Sequence, residues 1–273
     1  MQLLAFDVWG DYAHFKKRYA TSSPLTHSIP SKPTILGLIA AILGFRRNEY
    51  QSKFKEYDSK IALQILNPIK KTRISINQIN TKSEYLISYP MMNYFTQHTL
   101  LNFEFIKDPK YRIYFFTEDN NLYEQLKELL ICHKTVYTPY LGLSELICNF
   151  SYVNDYSFNE IKSQEYHYID SIVPIKKSKI GSLIKKIEPE EDKKYFIESI
   201  PSFINSDRET EEYVEVIAEE SGKLIKVIPR IAVTQEQIVL HHDTAYIFHT
   251  SLSTLPQILR LPEGILPKLQ SLV

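Results

Sequence analysis

The sequence predicts an α+β protein whose C-terminal part is rich in strands, and two observations carry this prediction. Segments that alternate apolar and polar residues, as half-buried strands do, recur along the whole chain. Two longer segments instead repeat apolar residues at helical spacing, and each of them stands between two such strands.

The first predicted elements are a strand, a long loop and a helix. Residues 3–9 alternate, with Leu4, Phe6 and Val8 on one side, and the strand ends at Gly10. A proline-punctuated loop of about 20 residues follows, which is longer than a compact domain usually keeps without a function for it. The pattern then becomes helical, with Pro33 as a first helical residue and Gly44 as the end.

The following elements extend this order to residue 153. Strands are predicted at 61–66, 73–79, 111–116 and 146–153, with Ile74, Ile76 and Ile79 facing a core. Residues 81–110 have no clean period and are rich in aromatics, which indicates an inserted hairpin arm. A second helix begins at Asn121, where Glu124 resembles a capping box. Strand, helix, strand, arm, strand, helix, strand is the order of a ferredoxin-like domain over 1–153.

The C-terminal region, residues 154–273, is predicted to be mainly β. Residues 211–217 and 223–228 flank the polar segment 219–222 and form a candidate hairpin. A further strand is predicted at 245–250.

Several classes of protein are excluded by what the sequence lacks. The seven glycines form no G-x-G pair and no phosphate-binding Walker loop, so we expect neither a nucleotide-dependent enzyme nor a Rossmann oxidoreductase. Cys132 and Cys148 form no C-x-x-C, and adjacent strand residues such as His241 and His242 point to opposite faces, so no metal and no cofactor are expected. The apolar segment 35–45 is too short to span a membrane, and no signal peptide is evident. A cytoplasmic location is expected.

The neutral net charge conceals an uneven distribution. The 273 residues contain 32 basic and 32 acidic side chains, but residues 1–100 hold 13 basic against six acidic residues, a balance of +7. The remainder therefore carries −7. A basic half is the electrostatic precondition for binding a phosphate backbone. The alternative is that these cations form ordinary solvated faces.

Three segments resemble a known family. The runs 6–15 and 28–34, the second leading into the apolar helix 36–44, closely resemble the N-terminus of the fifth CRISPR-associated (Cas) family, and its subtype I-B branch in particular. The segment 140–144 resembles the turn after the second helix in that family. The family is the Cascade subunit that holds the 5′ handle of CRISPR RNA (crRNA).

This resemblance implies an RNA-recognition-like fold with an inserted thumb at about 81–110. It also implies contacts to the crRNA handle and to the backbone and large subunits of the surveillance complex, with target DNA reached through the assembled complex. In most type I systems this subunit is not catalytic, so we expect no enzyme activity.

Candidate RNA-binding residues follow from the loop, the helix start and the strand near residue 73. Residues 11–19 interleave aromatics with cations, the composition that stacks bases and neutralises phosphates. A helix start favours a phosphate, although it also favours an ordinary cap. Trp9 either stacks on a base or packs in the core. The candidates are Trp9, Tyr12, His14, Phe15, Lys16, Lys17, Arg18, Tyr19, Lys32, Thr34, Arg46, Arg47, Lys70, Lys71 and Arg73.

Two alternatives to a non-catalytic RNA-binding subunit remain. In subtype I-C the corresponding subunit cuts precursor RNA without a metal, and the groups for such a reaction here would be Tyr12, His14, Lys16 and the pair His133 and Lys134. A generic protein-interaction domain is the other alternative, and it predicts no salt-dependent RNA binding.

Overall fold

The fold is taken from a computed structural model of the chain. It describes residues 2–20, 23–56, 59–79, 98–157, 160–161, 166–169, 171–177, 181–182, 184–205, 208–229, 233–234, 238–239 and 247–248. The helices in these ranges are α1 (Lys32–Leu43), α2 (Tyr50–Glu56) and α3 (Asn120–Ile131).

The strands account for most of the other residues in the same ranges. They are β1 (Gln2–Trp9), β2 (Tyr12–Ala13), β3 (Phe15–Lys16), β4 (Thr26–His27), β5 (Lys60–Ile65), β6 (Lys70–Ile79), β7 (His98–Lys107), β8 (Lys110–Phe116), β9 (Asn149–Ser157), β10 (Glu160–Ile161), β11 (His167–Ile169), β12 (Val173–Lys177), β13 (Gly181–Ser182), β14 (Ile184–Glu188), β15 (Tyr195–Ile204), β16 (Thr210–Glu219), β17 (Ile225–Pro229), β18 (Val233–Thr234), β19 (Ile238–Val239) and β20 (Ile247–Phe248). The prediction of an α+β protein is confirmed.

The central sheet of the N-terminal half has the strand order β5-β8-β1-β9, and all neighbours in it are antiparallel. Helix α1 lies between β1 and β5 in the chain, and α3 lies between β8 and β9. Each helix therefore connects two strands that are separated in the sheet by one other strand. The strands predicted at 3–9, 61–66, 111–116 and 146–153 are found, the last of them shifted toward the C-terminus.

Helix α1 is apolar nearly all round, because it is covered from more than one side. Its buried residues include Ile35, Leu36, Leu38 and Ile39, which belong to the same core as the central sheet and as Ile200 and the other inner residues of β15 and β16. A helix that is hydrophobic all round is a buried helix. It ends as predicted, at a left-handed Gly44 (φ 83°) whose N–H donates to the Ala40 carbonyl.

The start of α3 differs from the predicted capping box at Asn121. Asp119 is the N-cap instead, and its carboxylate accepts hydrogen bonds from the backbone N–H groups of Asn121 (2.8 Å) and Leu122 (3.2 Å). An aspartate in extended backbone just before the first turn satisfies two of the free N–H groups, so no glutamate has to reach back.

Strands β6 and β7 form a long antiparallel hairpin that pairs residues 70–79 with residues 98–107. Strand β2 joins β7 on its other edge. Ile74 and Ile76 are half-buried, but Ile79 is exposed and faces no core. Of the arm predicted at 81–110, residues 98–107 are strand β7, and residues 81–97 lie outside the described residues.

Three further sheets lie in the described ranges of the C-terminal part, and one of them, β10-β18-β19-β20, consists of two-residue strands. Of the other two, the larger has the order β13-β12-β16-β15 and the smaller β11-β17-β14, and all their neighbouring strands are antiparallel. Ile217 of β16 packs with Ile169, Ile225 and Val227 in a second apolar cluster. Val216, the next residue to Ile217, belongs to the main core instead. The larger sheet therefore lies between the main core and the smaller sheet.

The hairpin predicted from 211–217 and 223–228 is wrong, although both strands exist. Strand β16 pairs with β12 and β15, whereas β17 pairs with β11 and β14. The turn between them is built by Glu219, whose carboxylate accepts from the N–H groups of Ser221 and Lys223 at 2.8 Å. At Gly222 (φ 76°) an added Cβ would lie 2.0 Å from the Ile65 carbonyl oxygen. The turn thus docks on the end of β5 and sends β17 into another sheet.

The end of the chain is described only in short pieces. Of the strand predicted at 245–250, Ile247–Phe248 is strand β20, which pairs with β19 and contacts β5. None of the helices in the described ranges is long and apolar enough to cross a membrane.

Candidate nucleic-acid interface

The predicted loop after β1 is folded rather than extended in solvent. Strand β2 pairs with β7, and β3 pairs with β4. The His14 N–H donates to the Leu141 carbonyl at 3.0 Å, and a Cβ added at Gly142 (φ 101°) would lie 1.9 Å from the His14 carbonyl oxygen. Only glycine fits such an approach of two backbones. The segment around residues 139–148 therefore clamps the loop in place.

A second anchor of the loop is Glu198, which projects from β15. One of its oxygens accepts from the Ser28 hydroxyl at 2.8 Å and the other from the Ser28 backbone N–H at 2.9 Å. Its carboxylate also lies 3.5 Å from the Lys17 ammonium and 3.3 Å from Nδ1 of His27. The Lys71 ammonium of the hairpin lies 3.7 Å away. One carboxylate from the C-terminal sheet thus joins both ends of the loop to the hairpin.

The protonation of Glu198 reflects these contacts. Burial alone would raise the pKa of its carboxyl, but the donors on His27 and Ser28 and the charge of Lys17 outweigh burial and lower the pKa to about 2. Glu198 is therefore ionised over the whole physiological range. We call the group of Lys17, His27, Ser28, Lys71 and Glu198 the Glu198 latch.

Three predicted residues point outward from the latched loop. Lys16 and Arg18 are exposed, and Tyr19 is 75% exposed. The Arg18 guanidinium donates to the backbone carbonyl of Arg208 at 3.2 Å, so the backbone of the C-terminal half lies beside it. An exposed tyrosine flanked by cations can stack a base and bind the adjoining phosphates.

Three neighbouring candidates point inward instead. His14 is 1% exposed and Phe15 is 5% exposed, and the Phe15 ring lies 6.3 Å from that of Tyr111. Tyr12 is half-buried against the edge of Phe105. These rings pack in the interior and offer little or no surface to a base, so Tyr19 is the exposed aromatic residue of the segment 11–19.

His14 is held as a neutral imidazole. Its Nδ1–H donates to the Glu104 carbonyl at 2.7 Å, and the rings of Phe103 and Phe105 lie against it. Burial lowers its pKa, and the hydrogen bond to Glu104 only partly opposes this effect. A general base must be within hydrogen-bond reach of the proton that it removes. In this arrangement His14 has no access to an RNA hydroxyl.

The candidates at the start of α1 also lie against protein. Thr34 exchanges a 3.0 Å hydrogen bond with the Ser31 hydroxyl. Lys32 lines a small apolar pocket together with Ile35, Ile200 and other residues of β5, β15 and β16. The Trp9 ring is half-buried, with the Lys110 ammonium 5.7 Å from its centroid.

The remaining basic candidates differ in how far they are engaged. Arg46 and Arg47 are exposed in the turn after α1, and Lys70 and Arg73 are exposed on β6. Lys71 is engaged, because it donates to the Thr26 carbonyl at 3.2 Å and lies near two carboxylates, those of Glu104 and Glu198. The alternating pattern of β6 places Lys71 and Arg73 on the same face.

No metal-binding cluster of histidine, cysteine or acidic side chains is found within the described ranges. Residues 241–243 lie outside them. Cys132 is exposed, and burial raises the pKa of the Cys148 thiol to about 12.

Sequence reasoning missed Glu198 and Arg208. Both lie in the half whose net charge is negative, far along the chain from the loop that they contact. The length and the prolines of the loop indicate a segment with a function, but nothing in them identifies a carboxylate 170 residues away from Ser28.

Comparison with known proteins identifies the family. Residues 3–212 match the family model described as CRISPR-associated protein (Cas_Cas5). No curated protein matches the chain.

Solved structures are similar at low sequence identity. A crystal structure of a CRISPR protein from Archaeoglobus fulgidus has a TM-score of 0.50 and 12% identity, covering 92% of this chain and 100% of that chain. A chain of a CRISPR RNA-guided surveillance complex has a TM-score of 0.41 and 11% identity, covering 83% and 91%. A chain of the type III-B Cmr-beta complex bound to cognate target RNA and AMPPnP has a TM-score of 0.45 and 12% identity, covering 83% and 86%. Because the family model spans most of its length, this chain belongs to the CRISPR-associated Cas5 protein family.

Proposed function

We propose that this protein is a non-catalytic, cytoplasmic RNA-binding subunit of a type I-B CRISPR surveillance complex. In this proposal it caps the 5′ handle of crRNA and contacts the backbone and large subunits, and it meets target DNA through the assembled complex. Membership in the Cas5 family supports the CRISPR-associated role.

The strand order supports an RNA-recognition-like domain in this proposal. Four antiparallel strands in the order β5-β8-β1-β9, with helices between β1 and β5 and between β8 and β9, match the connectivity of a ferredoxin-like domain. We infer that the β6–β7 hairpin is the base of the thumb.

The observation that carries the proposal is the outward-facing end of the latched loop. Lys16, Arg18 and Tyr19 are exposed, while Lys17 between them is tied to Glu198. Loop residues that are already ordered lose little conformational entropy on binding. The loop is therefore a preorganised surface for a phosphate backbone with one base stacked beside it.

A binding role rather than cleavage is supported by the enclosure of His14. The alternative of a metal-independent endoribonuclease needs a base near the 2′-hydroxyl, and His14 is buried under Phe103 and Phe105. Incubation with labelled repeat RNA in EDTA tests this point. We expect intact RNA, and a discrete cut that is lost on His133→Ala would establish the enzyme instead.

The main test measures RNA binding by the loop. Replacing Lys16 and Arg18 together by Ala should weaken binding to handle-bearing crRNA and flatten the salt dependence of log K by about 1.4, because each lost phosphate contact on a single strand removes about 0.7. The matched control is Lys194→Ala with Lys223→Ala, which removes two exposed cations elsewhere on the chain. An unchanged slope in the loop variant would place the RNA on another surface.

The partner part of the proposal has its own test. The tagged protein should copurify with its neighbouring subunits and with crRNA that starts at the handle. Bound RNA without a handle sequence, or no bound RNA, would contradict the proposal.

A further inference from the structure

The small sheet β11-β17-β14 has two faces of different chemistry. Its inner face carries Ile169, Ile225 and Val227, each 1% exposed or less, which pack with Val173 and Ile217 of the larger sheet. Its outer face is not apolar. Strand alternation places Tyr166 and Tyr168 on that outer side of the chain segment entering and forming β11.

The outer face brings two tyrosines, two lysines and one glutamate together. Tyr168 pairs across the strands with Lys226, which in turn pairs with Glu188. The Lys226 ammonium lies 5.1 Å from the ring centroid of Tyr166 and 5.9 Å from that of Tyr168, and it lies 3.1 Å from the Glu188 carboxylate. The Lys186 ammonium lies 5.8 Å from the Tyr166 ring. We call these five residues the tyrosine-lysine platform.

The platform is accessible in the folded chain. Tyr168 is 43% exposed, Lys186 is exposed, and Tyr166, Glu188 and Lys226 are half-buried. The ammonium groups of Lys186 and Lys226 both lie over the Tyr166 ring. Among the described residues, the Tyr168 ring contacts only the Lys226 ammonium. A partly open aromatic ring with an ammonium group near it can take a base on its exposed surface and a phosphate at the ammonium.

We propose that the tyrosine-lysine platform is a binding surface for single-stranded nucleic acid. A base stacks on Tyr168, and Lys186 and Lys226 contact the flanking phosphates. This is the chemistry with which open sheets recognise unpaired strands, because every base has a π-face and every nucleotide has a phosphate. Glu188 opposes binding, since its carboxylate neutralises Lys226 and repels a phosphate.

The platform and the latched loop lie on opposite sides of the larger C-terminal sheet. Glu198 pairs with Val216, whose side chain is in the main core, whereas the neighbouring Ile217 packs toward the small sheet. The platform is on the far face of that small sheet. It is therefore a second surface, and its failure would leave the handle-binding proposal untouched.

The test measures binding of fluorescent uridine and thymidine homopolymers to the full chain. We expect Tyr168→Leu and Lys226→Gln each to weaken binding about fivefold or more. Lys226→Gln should also flatten the salt dependence of log K by about 0.7. Tighter binding of the uridine homopolymer than of the thymidine homopolymer would indicate that the bound strand is RNA. The reverse order of affinities would indicate DNA. Absence of binding to both homopolymers would overturn the proposal.

The most discriminating variant is one that is expected to bind the homopolymers more tightly. Glu188→Gln removes the carboxylate that pairs with Lys226, so binding should become roughly twofold to threefold tighter. A platform that serves only to stabilise the sheet would show no such gain, because loss of an ion pair does not improve a structural role. No tightening in this variant would contradict the proposed role of Lys226.

Controls separate the platform from general effects and from the loop. Tyr213→Leu and Glu215→Gln alter an exposed tyrosine and an exposed glutamate on β16, and both should keep wild-type affinity and salt slope. Ultraviolet crosslinking should label peptides that contain residues 166–169. If the Lys16 and Arg18 variant loses handle binding while Tyr168→Leu keeps homopolymer binding, the platform proposal fails and the loop proposal stands.

Discussion

The central sheet and the small C-terminal sheet use aromatic residues in opposite ways. In the central sheet, Phe6, Phe115 and Tyr114 are fully buried, and Ala5 and Ala62 beside Tyr114 are buried as well. Both faces of that sheet are therefore closed. The small sheet has one closed face, and its other face presents Tyr168 beside Lys226.

This difference bears on how a domain of this connectivity binds RNA. RNA-recognition domains stack bases on aromatics of the open face of their four-stranded sheet. The corresponding sheet here has no open face, because Tyr114 is sealed beneath other residues. In the proposed function, contacts to nucleic acid therefore fall to side chains outside this sheet, such as the exposed Tyr19 beside Arg18 and the exposed Tyr168 beside Lys226.

The largest expected effect comes from opening the closed face. Tyr114→Ala should lower the free energy of unfolding by about 3–5 kcal/mol, as truncation of a fully buried aromatic does. The ring also packs near Tyr156, and the hydroxyl donates to Gln64 at 2.9 Å. Denaturant midpoints at equal m-value would measure this change in the free energy of unfolding. Tyr114→Phe, which removes one hydrogen bond, should cost only about 1 kcal/mol.

The next effect concerns the enclosed carboxylate of the latch. Glu198→Gln should lower the free energy of unfolding at neutral pH by about 2–3 kcal/mol, because a carboxyl whose pKa falls from 4.5 to about 2 on folding stabilises the native state. Glu215→Gln, on the outer side of the neighbouring strand, is the control and should change little.

The pH dependence of the latch has a defined sign. Since the pKa of Glu198 is lower in the folded chain, its stabilisation is complete above pH 4.5 and is lost as the pH falls toward 2. The difference between wild type and Glu198→Gln should therefore be constant from pH 7 to 5 and shrink below that. A difference that grows on acidification would show that Glu198 does not carry the native-state charge.

The smallest expected effect is on the open face. Tyr168→Ala should change the free energy of unfolding by less than about 1 kcal/mol, because surface substitutions rarely cost more, even though it weakens binding to homopolymers. A loss as large as that of Tyr114→Ala would mean that the two sheets do not differ in the way described. Thermal and denaturant unfolding of both variants in parallel would decide it.

The elements set by local pattern were predictable from sequence. Period-two alternation identified β1, and the apolar segment with Gly44 after it identified α1 and its left-handed end. The pairing of β16 was not predictable, because a polar turn with glycine looks like a hairpin whether or not the strands remain together. Here the docking of Gly222 against Ile65 decides the outcome.

The site was predictable only in composition. Cations and aromatics of residues 11–19 mark the loop, but alternation within β2 and β3 and the clamp at Gly142 send His14 and Phe15 inward. The charge count shows that the two halves carry opposite net charge, but it does not show that Glu198 from the acidic half neutralises Lys17 and Lys71 within the same chain. Contacts between residues so far apart leave no local signal.

The coverage of α1 by β15 has a consequence during synthesis. Ile35 and its neighbours are translated early, but β15 and β16, which complete their burial, are made only after β9 is already in place. Translation proceeds at about 5–20 residues per second. One apolar side of α1 therefore stays uncovered for several seconds during synthesis. Pausing of translation between residues 157 and 219 should therefore increase aggregation.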